Sequence, residues 1–242
     1  MSIIEKKDIE TIWGKKLPMY YRVGTNDTFV IDSVMVYDEY KAKQFVSRFK
    51  DNDVFIDLGS HIGTWSILMA SLNPSFKVYS VEATPENYAI QKMNVTENKL
   101  ETQIRVYQNA ISNMDGKKEK IFFSKDPMHK YVGSMLGLPE REGIQVESLS
   151  LNKVFEENNI EHCRIIKTDC EGAEVLAFST LKKEHLEKVD VVVGEFHPYL
   201  GVDRKRFFDF FEPYFIDLTT EFYGEQTGFG NFLYMNRKKI NG

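Results

Sequence analysis

Cysteine is scarce in this 242-residue chain: Cys163 and Cys170 are its two, both set among charged residues and at no metal-ligand spacing. That argues against a disulfide-stapled secreted fold or a zinc module and fits a reduced, cytoplasmic protein with incidental thiols. Long apolar runs are missing too, so no stretch reads as membrane-spanning and no membrane partner is expected. The start, MSIIEKKDIE, turns charged within five residues, where a secretion signal would stay apolar. Neither sign of charge dominates: 31 Lys and Arg stand against 36 Asp and Glu, a net charge of −5, and the basic clusters MDGKKEK and VDRKRFF have acids beside them. A nucleic-acid groove needs a concentrated basic face, so no nucleic-acid partner is expected. Repeats and low-complexity stretches are also absent. The length suits one substantial domain with appendages.

From Asp53 onward, short apolar runs alternate with polar, helix-like segments. VFIDL (54–58), KVYSVEA (77–83), QIRVYQNA (103–110), RIIKTD (164–169) and VDVVVGEF (189–196) are expected strands, rich in β-branched and aromatic residues. Helices are expected over about 64–72, 85–98 and 173–187. That rhythm predicts an α/β fold with a mostly parallel, doubly wound sheet. Near the end, FFEPYFIDLTTEFY and NFLYMNRK are separated only by the loop GEQTGFG, which predicts an antiparallel strand pair closing the sheet. Residues 1–50 form an N-terminal extension packing on the core, with a helical start, and 51–238 the main domain. The segment 111–160 adds strand KEKIFFS, loop KDPMHKYVGSMLGLPEREG, strand IQVESL and helix LNKVFEENN, with the loop as a candidate substrate lid.

The stretch DVFIDLGSHIGTWSI runs a buried strand into a glycine turn. Asp57, Gly59 and Gly63 form D-x-G-x-x-x-G at the strand's carboxyl end, where open α/β sheets bind ligands. Gly59 lets the backbone turn sharply and approach a ligand, and the amides of Ser60–Gly63 are expected to point toward it. The turn has no lysine for a phosphate loop and lacks the dinucleotide G-x-G-x-x-G spacing. Alone it is equally compatible with a plain strand-to-helix connection. Glu82, with Ala83 at the end of the second strand, stands about twenty residues on, where a carboxylate accepts both ribose hydroxyls. Thr84 and Pro85 are a good helix N-cap and first residue.

Together with PEN…N and the block IIKTDCEGAE (165–174), these residues resemble the FkbM-type S-adenosylmethionine-dependent methyltransferases. GTNDTFVIDSVMVYDEY, NAIS and EFHP are similar as well, and the likeness spans about 24–236. Thr168 and Cys170 stand where the family more often has apolar residues. The resemblance implies a Rossmann-like methyltransferase fold and S-adenosyl-L-methionine as cofactor. It implies Glu82 on the ribose, Gly59–Gly63 (with Ser60 and His61) at the methionine portion, and Asn109 and Ala110 by the adenine. Asp57 orients the turn or reaches the amino group through water. Tyr37, Glu39 and Tyr40 lie in a segment the family folds over the cofactor; packing is the alternative for Tyr37.

Methyl transfer to an alcohol needs an aligned acceptor and a base. Asp169 and Glu171 after the fourth strand, and Glu195 and His197 after the fifth, meet at one pocket if those strands are neighbours. His197 is the first choice of base, since its unperturbed pKa is near neutrality. Asp169 can instead hold the cofactor's amino group, and Glu171 can cap the following helix. Asp169, Glu195 and His197 also constitute a set for a divalent metal, which the spacing does not demand. His129, Ser134, Glu171 and His197 are candidates for touching the substrate, and Gly133 and Gly137 for letting the loop move; His162 and His185 read as surface residues. The expectation is an O-methyltransferase acting on a small-molecule acceptor, a sugar or natural-product alcohol. N-methylation, a nucleotide-dependent oxidoreductase and a non-catalytic binding module stay open, as does oligomeric state.

Overall fold

The computed structural model describes residues 2–135, 143–199, 201–225 and 230–239. It begins not with a helix but with an antiparallel hairpin, β1 (Ile4–Glu10) and β2 (Lys16–Arg22). In β1 only Ile9 is buried, so no alternating pattern marks it as a strand; pairing with β2 overrides the helix preference of its Glu and Lys residues. Ile9, Leu17 and Met19 turn into the core beneath it. Helix α1 (Asp27–Ile31) runs directly into a π-helical turn, Asp32–Val36.

The central sheet follows: β3 (Val54–Leu58), β4 (Lys77–Val81), β5 (Ile104–Tyr107), β10 (Cys163–Thr168), β11 (Val189–Phe196), β12 (Phe215–Asp217) and β13 (Gly230–Asn236). A smaller sheet holds β6 (Ala110–Ser112), β7 (Lys118–Phe123), β8 (Gly133–Ser134) and β9 (Gly143–Ser150). The seven large-sheet strands lie in the order β5-β4-β3-β10-β11-β13-β12, all parallel except β13, which runs against both neighbours. This is the Rossmann-like methyltransferase arrangement, and the strand order reverses between β3 and β10.

Successive residues of the strands feed opposite faces. Phe55, Ile165 and Val191 enter one core with helices α2 (Thr64–Leu72) and α3 (Pro85–Glu97). Ile56, Ile166 and Val192 enter the other, with α4 (Leu151–Glu157), α5 (Glu174–Ser179) and a cluster of phenylalanines around Phe207. The expected long helix over 173–187 is two pieces, α5 and α6 (Lys183–Leu186). A further short helix, α7 (Arg204–Phe208), follows β11. The expected strand over 210–223 keeps only β12; Thr219–Tyr223 forms helix α8 instead. Likewise the third expected strand divides, β5 staying in the large sheet while β6 pairs with β9 in the small one. Among the described residues no helix is long and apolar enough to cross a membrane.

Backbone approach between β10 and β11 is tight. A Cβ on Gly194 would lie 1.7 Å from the Thr168 carbonyl oxygen, so any side chain there must push the strands apart. Gly194→Ala is expected to destabilise the fold by about 2 kcal/mol or more, as overpacked cores do. Thermal unfolding checks this, the expected fall in Tm being roughly 4–8 °C; an unchanged Tm contradicts it.

Candidate active site

The site is built where the strand order reverses. Gly59 follows β3 with φ +71°, and a Cβ there would sit 1.9 Å from the Asp169 carbonyl oxygen. Its lack of a side chain is thus required by the contact with the turn after the neighbouring strand. Lys167, buried on β10, reaches across: its Nζ donates to the Gly59 carbonyl at 2.7 Å and pairs with Asp57 Oδ1 at 3.1 Å. Burial works against its charge, but Asp57 and Asp169 outweigh that and leave its pKa raised. Ser66 Oγ donates to Asp57 Oδ2 at 2.6 Å, so Asp57 is fully buried beneath the turn rather than in the pocket wall. Asp57 braces the turn, as one alternative had it, and is not among the residues that line the pocket above it.

The amides of the turn differ from expectation. Ser60 N donates to the Val81 carbonyl, His61 N to Glu82 Oε2 at 2.8 Å, and Gly63 N to the Ser60 carbonyl. These three are engaged within the protein and do not point at a ligand. The reason is the close fit of the turn against β4, which brings the Glu82 carboxylate under His61.

Above the turn lies a pocket that is partly open to solvent. Of the residues expected at the cofactor, Gly59, Ser60, His61, Glu82, Ala83, Asn109, Ala110, Tyr40 and Asp169 line it and Gly63 does not; Glu171, expected at the substrate, lines it as well. Ala110, Ile111 and Ile121 of the small sheet, with Met135 just after it, supply apolar lining, and Glu82, bonded to the His61 amide of the turn, lines the pocket too. Glu82 accepts from Thr84 N at 2.8 Å as well as from His61 N; burial nevertheless pushes its pKa up.

A network missed by sequence reasoning ties this wall to the N-terminal hairpin. Buried Arg22 makes a two-pronged pair with Asp27, at 2.9 and 2.8 Å, and donates to Asn87 Oδ1 at 2.7 Å. Burial would raise the Asp27 pKa, but His61 and Arg22 outweigh it and hold the group far below the usual carboxylate range. The Arg22 guanidinium also lies 3.9 Å from the Tyr131 ring centre, and Asn87 donates to the Tyr131 carbonyl. Tyr131, Val132 and Gly133 thereby cover the pocket. No spacing in the sequence announces contacts between segments this far apart.

At the other end the acids gather. Because β10 and β11 are neighbours, Asp169, Glu195 and His197 meet, their ligand atoms all within 4.8 Å of one another. Tyr40 donates its hydroxyl to Asp169 Oδ2 at 2.8 Å. Glu171 sits at φ +52°, and its Oε2 is 3.6 Å from His197 Nε2. Burial first, and then the Asp169 charge, push both Glu171 and Glu195 up to about 7. For His197 burial acts downward, but the hydrogen bond and charge of Glu174, with Asp169 and Glu171, push it up to about 10. His197 therefore holds its proton at neutral pH, and its unperturbed pKa is no guide to its role.

Glu171 does not cap the following helix. No side chain does: Glu174, fully buried as the first residue of α5, accepts from Cys170 N at 2.8 Å and Gly172 N at 3.0 Å, amides of the turn before the helix. The sequence held the signal, since Glu174 closes the IIKTDCEGAE block, as Lys167 sits in its apolar part; a charge inside a central strand must be paired. Glu39 is half-buried near Asp169 but does not line the pocket. His129 is exposed, pairs with Asp126 at 2.8 Å and also stands outside the lining. Ser134 donates to the Glu171 carbonyl at 2.6 Å, so it braces the acid-bearing turn. Gly133 is tightly packed against Ile121 and Thr84, while Gly137 lies outside the described residues. Tyr37 is exposed. His162 pairs with Asp190, and His185 is buried, stacked 4.8 Å from Phe155, contrary to the surface reading.

Comparison with known proteins decides the family. The Methyltransferase FkbM domain matches residues 57–228. The chain belongs to the FkbM methyltransferase family. It is a methyltransferase, of the kind that depends on S-adenosylmethionine. The methyltransferase sdnD of Sordaria araneosa is 24% identical over 177 residues, covering 62% of this chain and 68% of that one. Among solved structures, a putative rRNA methylase from Clostridium thermocellum shares 10% identity at a TM-score of 0.48, over 81% of this chain and 93% of that one. M. capricolum TrmK, in complex with S-adenosyl-homocysteine, shares 11% at 0.41, over 82% and 68%.

The trio Asp169, Glu195 and His197 has the spacing for a divalent ion. Nδ1 of His197 lies 3.2 Å from Glu174 Oε1, the kind of carboxylate support that ligating histidines commonly have.

Lys167→Met leaves Asp57 buried without its counter-charge. The expected loss of stability is about 3–5 kcal/mol, read by urea unfolding; a change below ~1 kcal/mol would mean the pair does not hold the turn.

Proposed function

We propose that this FkbM-family enzyme transfers a methyl group from S-adenosylmethionine to a hydroxyl oxygen of an uncharged, polyhydroxylated small molecule, a sugar or natural-product alcohol. The observation that carries the reading is the make-up of the pocket wall, with Glu82 and the apolar Ala110, Ile111, Ile121 and Met135 among its lining and also Asp169 and Glu171, behind which Glu195 and His197 stand outside the lining. The pocket fits the donor. Glu82 accepts from the ribose hydroxyls, Ala110, Ile111, Ile121 and Met135 take the adenine, and Asp169 attracts the cationic amino-acid end. When bound, S-adenosylmethionine supplies an electrophilic methyl group.

The acidic end does the rest. Carboxylates accept hydrogen bonds from several hydroxyls and repel phosphates, which favours a neutral polyol over a nucleic acid. Glu171 lines the pocket and is the proposed base: raised to about 7, it takes up a proton readily yet is ionised above neutrality. His197, already charged, replaces its role as base with that of a donor beside Glu171, and Glu195 shares the acidic field. Tyr40 fixes Asp169 from the N-terminal segment.

Removal of the Glu82 carboxylate by Glu82→Ala is expected to weaken S-adenosylhomocysteine binding at least tenfold by calorimetry, and an unchanged affinity counts against the donor assignment. For the base, the active form is the deprotonated one. Activity on an acceptor found in a panel of sugars and alcohols should therefore be lost as pH falls through about 7 and level off above it. Glu171→Gln should lower kcat about a hundredfold or more without altering S-adenosylhomocysteine affinity. A rate independent of pH between 6 and 8 would remove Glu171 from that role.

A further inference from the structure

Over residues 124–135 none is fully buried, and Lys125–Lys130 are all exposed. This strap is held by a few directed contacts rather than by a core, which places it among the readily opened parts of a fold. Asn26 N donates to the Met128 carbonyl at 3.0 Å, and the Ser2 and Tyr131 hydroxyls lie 3.0 Å apart. Arg22 of β2 packs its guanidinium 3.9 Å from the centre of the Tyr131 ring, and Asn87 of α3 donates to the Tyr131 carbonyl at 3.0 Å. The edge of Arg22 serves Asp27 and Asn87 Oδ1 while its face is left for the ring, a division that a planar cation allows and an ammonium does not. Asn87 Nδ2 also donates to Glu82 Oε1 at 3.3 Å, so one amide joins the strap to the carboxylate assigned to the ribose. Farther along, Ser134 donates to the Glu171 carbonyl at 2.6 Å. The segment therefore runs along the pocket from Glu82 to the acid-bearing turn, with Tyr131, Val132, Gly133 and Met135 in the lining. Arg22 is buried and outside that lining. Its Nη1, like Asn26 Oδ1 and His61 Nδ1, has no hydrogen-bond partner among the described residues, and buried polar atoms left so are rare where packing alone is served.

We propose that Arg22 is a positioning residue of the donor site, the latch that holds the Tyr131 strap along the pocket, and that S-adenosylmethionine enters and leaves when the Arg22–Tyr131 contact parts. The assignment rests on the donor reading for the identity of what passes, while the latch itself is a property of the chain. Loops that cover a bound ligand commonly set its rates of entry and release. A latch on such a loop has its own kinetic signature. Loosening it speeds entry and release together, whereas loss of a contact to the ligand speeds release alone. A damaged fold does neither, since it lowers the competent fraction and with it the apparent rate of association.

The test is the kinetics of S-adenosylhomocysteine binding to the immobilised full chain, by surface plasmon resonance, for the native protein, Tyr131→Leu, Tyr131→Phe and Arg22→Lys. Leucine removes the ring, phenylalanine keeps its face and loses only the hydroxyl, and lysine keeps the charge beside Asp27 without the planar face. In Tyr131→Leu and Arg22→Lys both rate constants should rise about fivefold or more, the scale of a desolvated cation–ring contact, with affinity changed less than about threefold. Tyr131→Phe should stay within about twofold of the native protein, since the face of the ring is what Arg22 engages. If Arg22→Lys does not fold, Tyr131→Leu against Tyr131→Phe decides. Faster release with association unchanged or slowed overturns the proposal, as does a phenylalanine variant that behaves like the leucine one. Native rates in Tyr131→Leu, or in a folded Arg22→Lys, overturn it as well. A native chain that binds no S-adenosylhomocysteine overturns the donor reading, and this proposal with it.

Discussion

The ammonium of Lys167, buried between two parallel strands, holds the floor of the site together. It binds the carboxylate of Asp57 and the carbonyl of Gly59 at once, where the strand order reverses and the backbones of β3 and β10 come closest. Every other feature of the pocket is arranged around that contact. The turn it fixes places His61 over Glu82, and the strand it belongs to ends in Asp169. A buried ion pair is weak evidence for stability but breaks at great cost, which makes it a good means of enforcing one geometry.

From this floor the site divides by chemistry. One end is apolar, with a single carboxylate, and the other concentrates acids around one histidine. Carboxylates so placed resist ionising together, and the outcome is a cationic His197 beside two glutamates poised near neutrality. Such frustration is tolerated where it serves a reaction, and a donor bearing positive charge is well matched to it. The N-terminal segment completes the arrangement from above through Tyr40 on Asp169 and through Arg22 under Tyr131.

Much of this was legible in the sequence because the central strands are fully buried. VFIDL, RIIKT and VDVVVGEF carry their β-branched runs openly, and the acids at their ends follow from strand adjacency alone. Where the chain packs on one side only, the signal fades: β1 buries just Ile9, and its strand character comes from its partner. Thr219–Tyr223 looked like more strand because its aromatic residues suit either state. The close fit of Gly59 against the Asp169 backbone was not legible, because a linear motif cannot show a neighbouring strand. The choice of His197 as base drew on its unperturbed pKa, whereas Glu174, Asp169 and Glu171 push that value up, and Glu174 lies 23 positions away in the chain.

A crystal structure with S-adenosylhomocysteine bound tests the central claim most directly. The account predicts the ribose hydroxyls on Glu82, the adenine between Ala110 and Met135, and the sulfur facing the group of Asp169, Glu171 and Glu195. A ribose held away from Glu82, or a sulfur turned from those carboxylates, would contradict it.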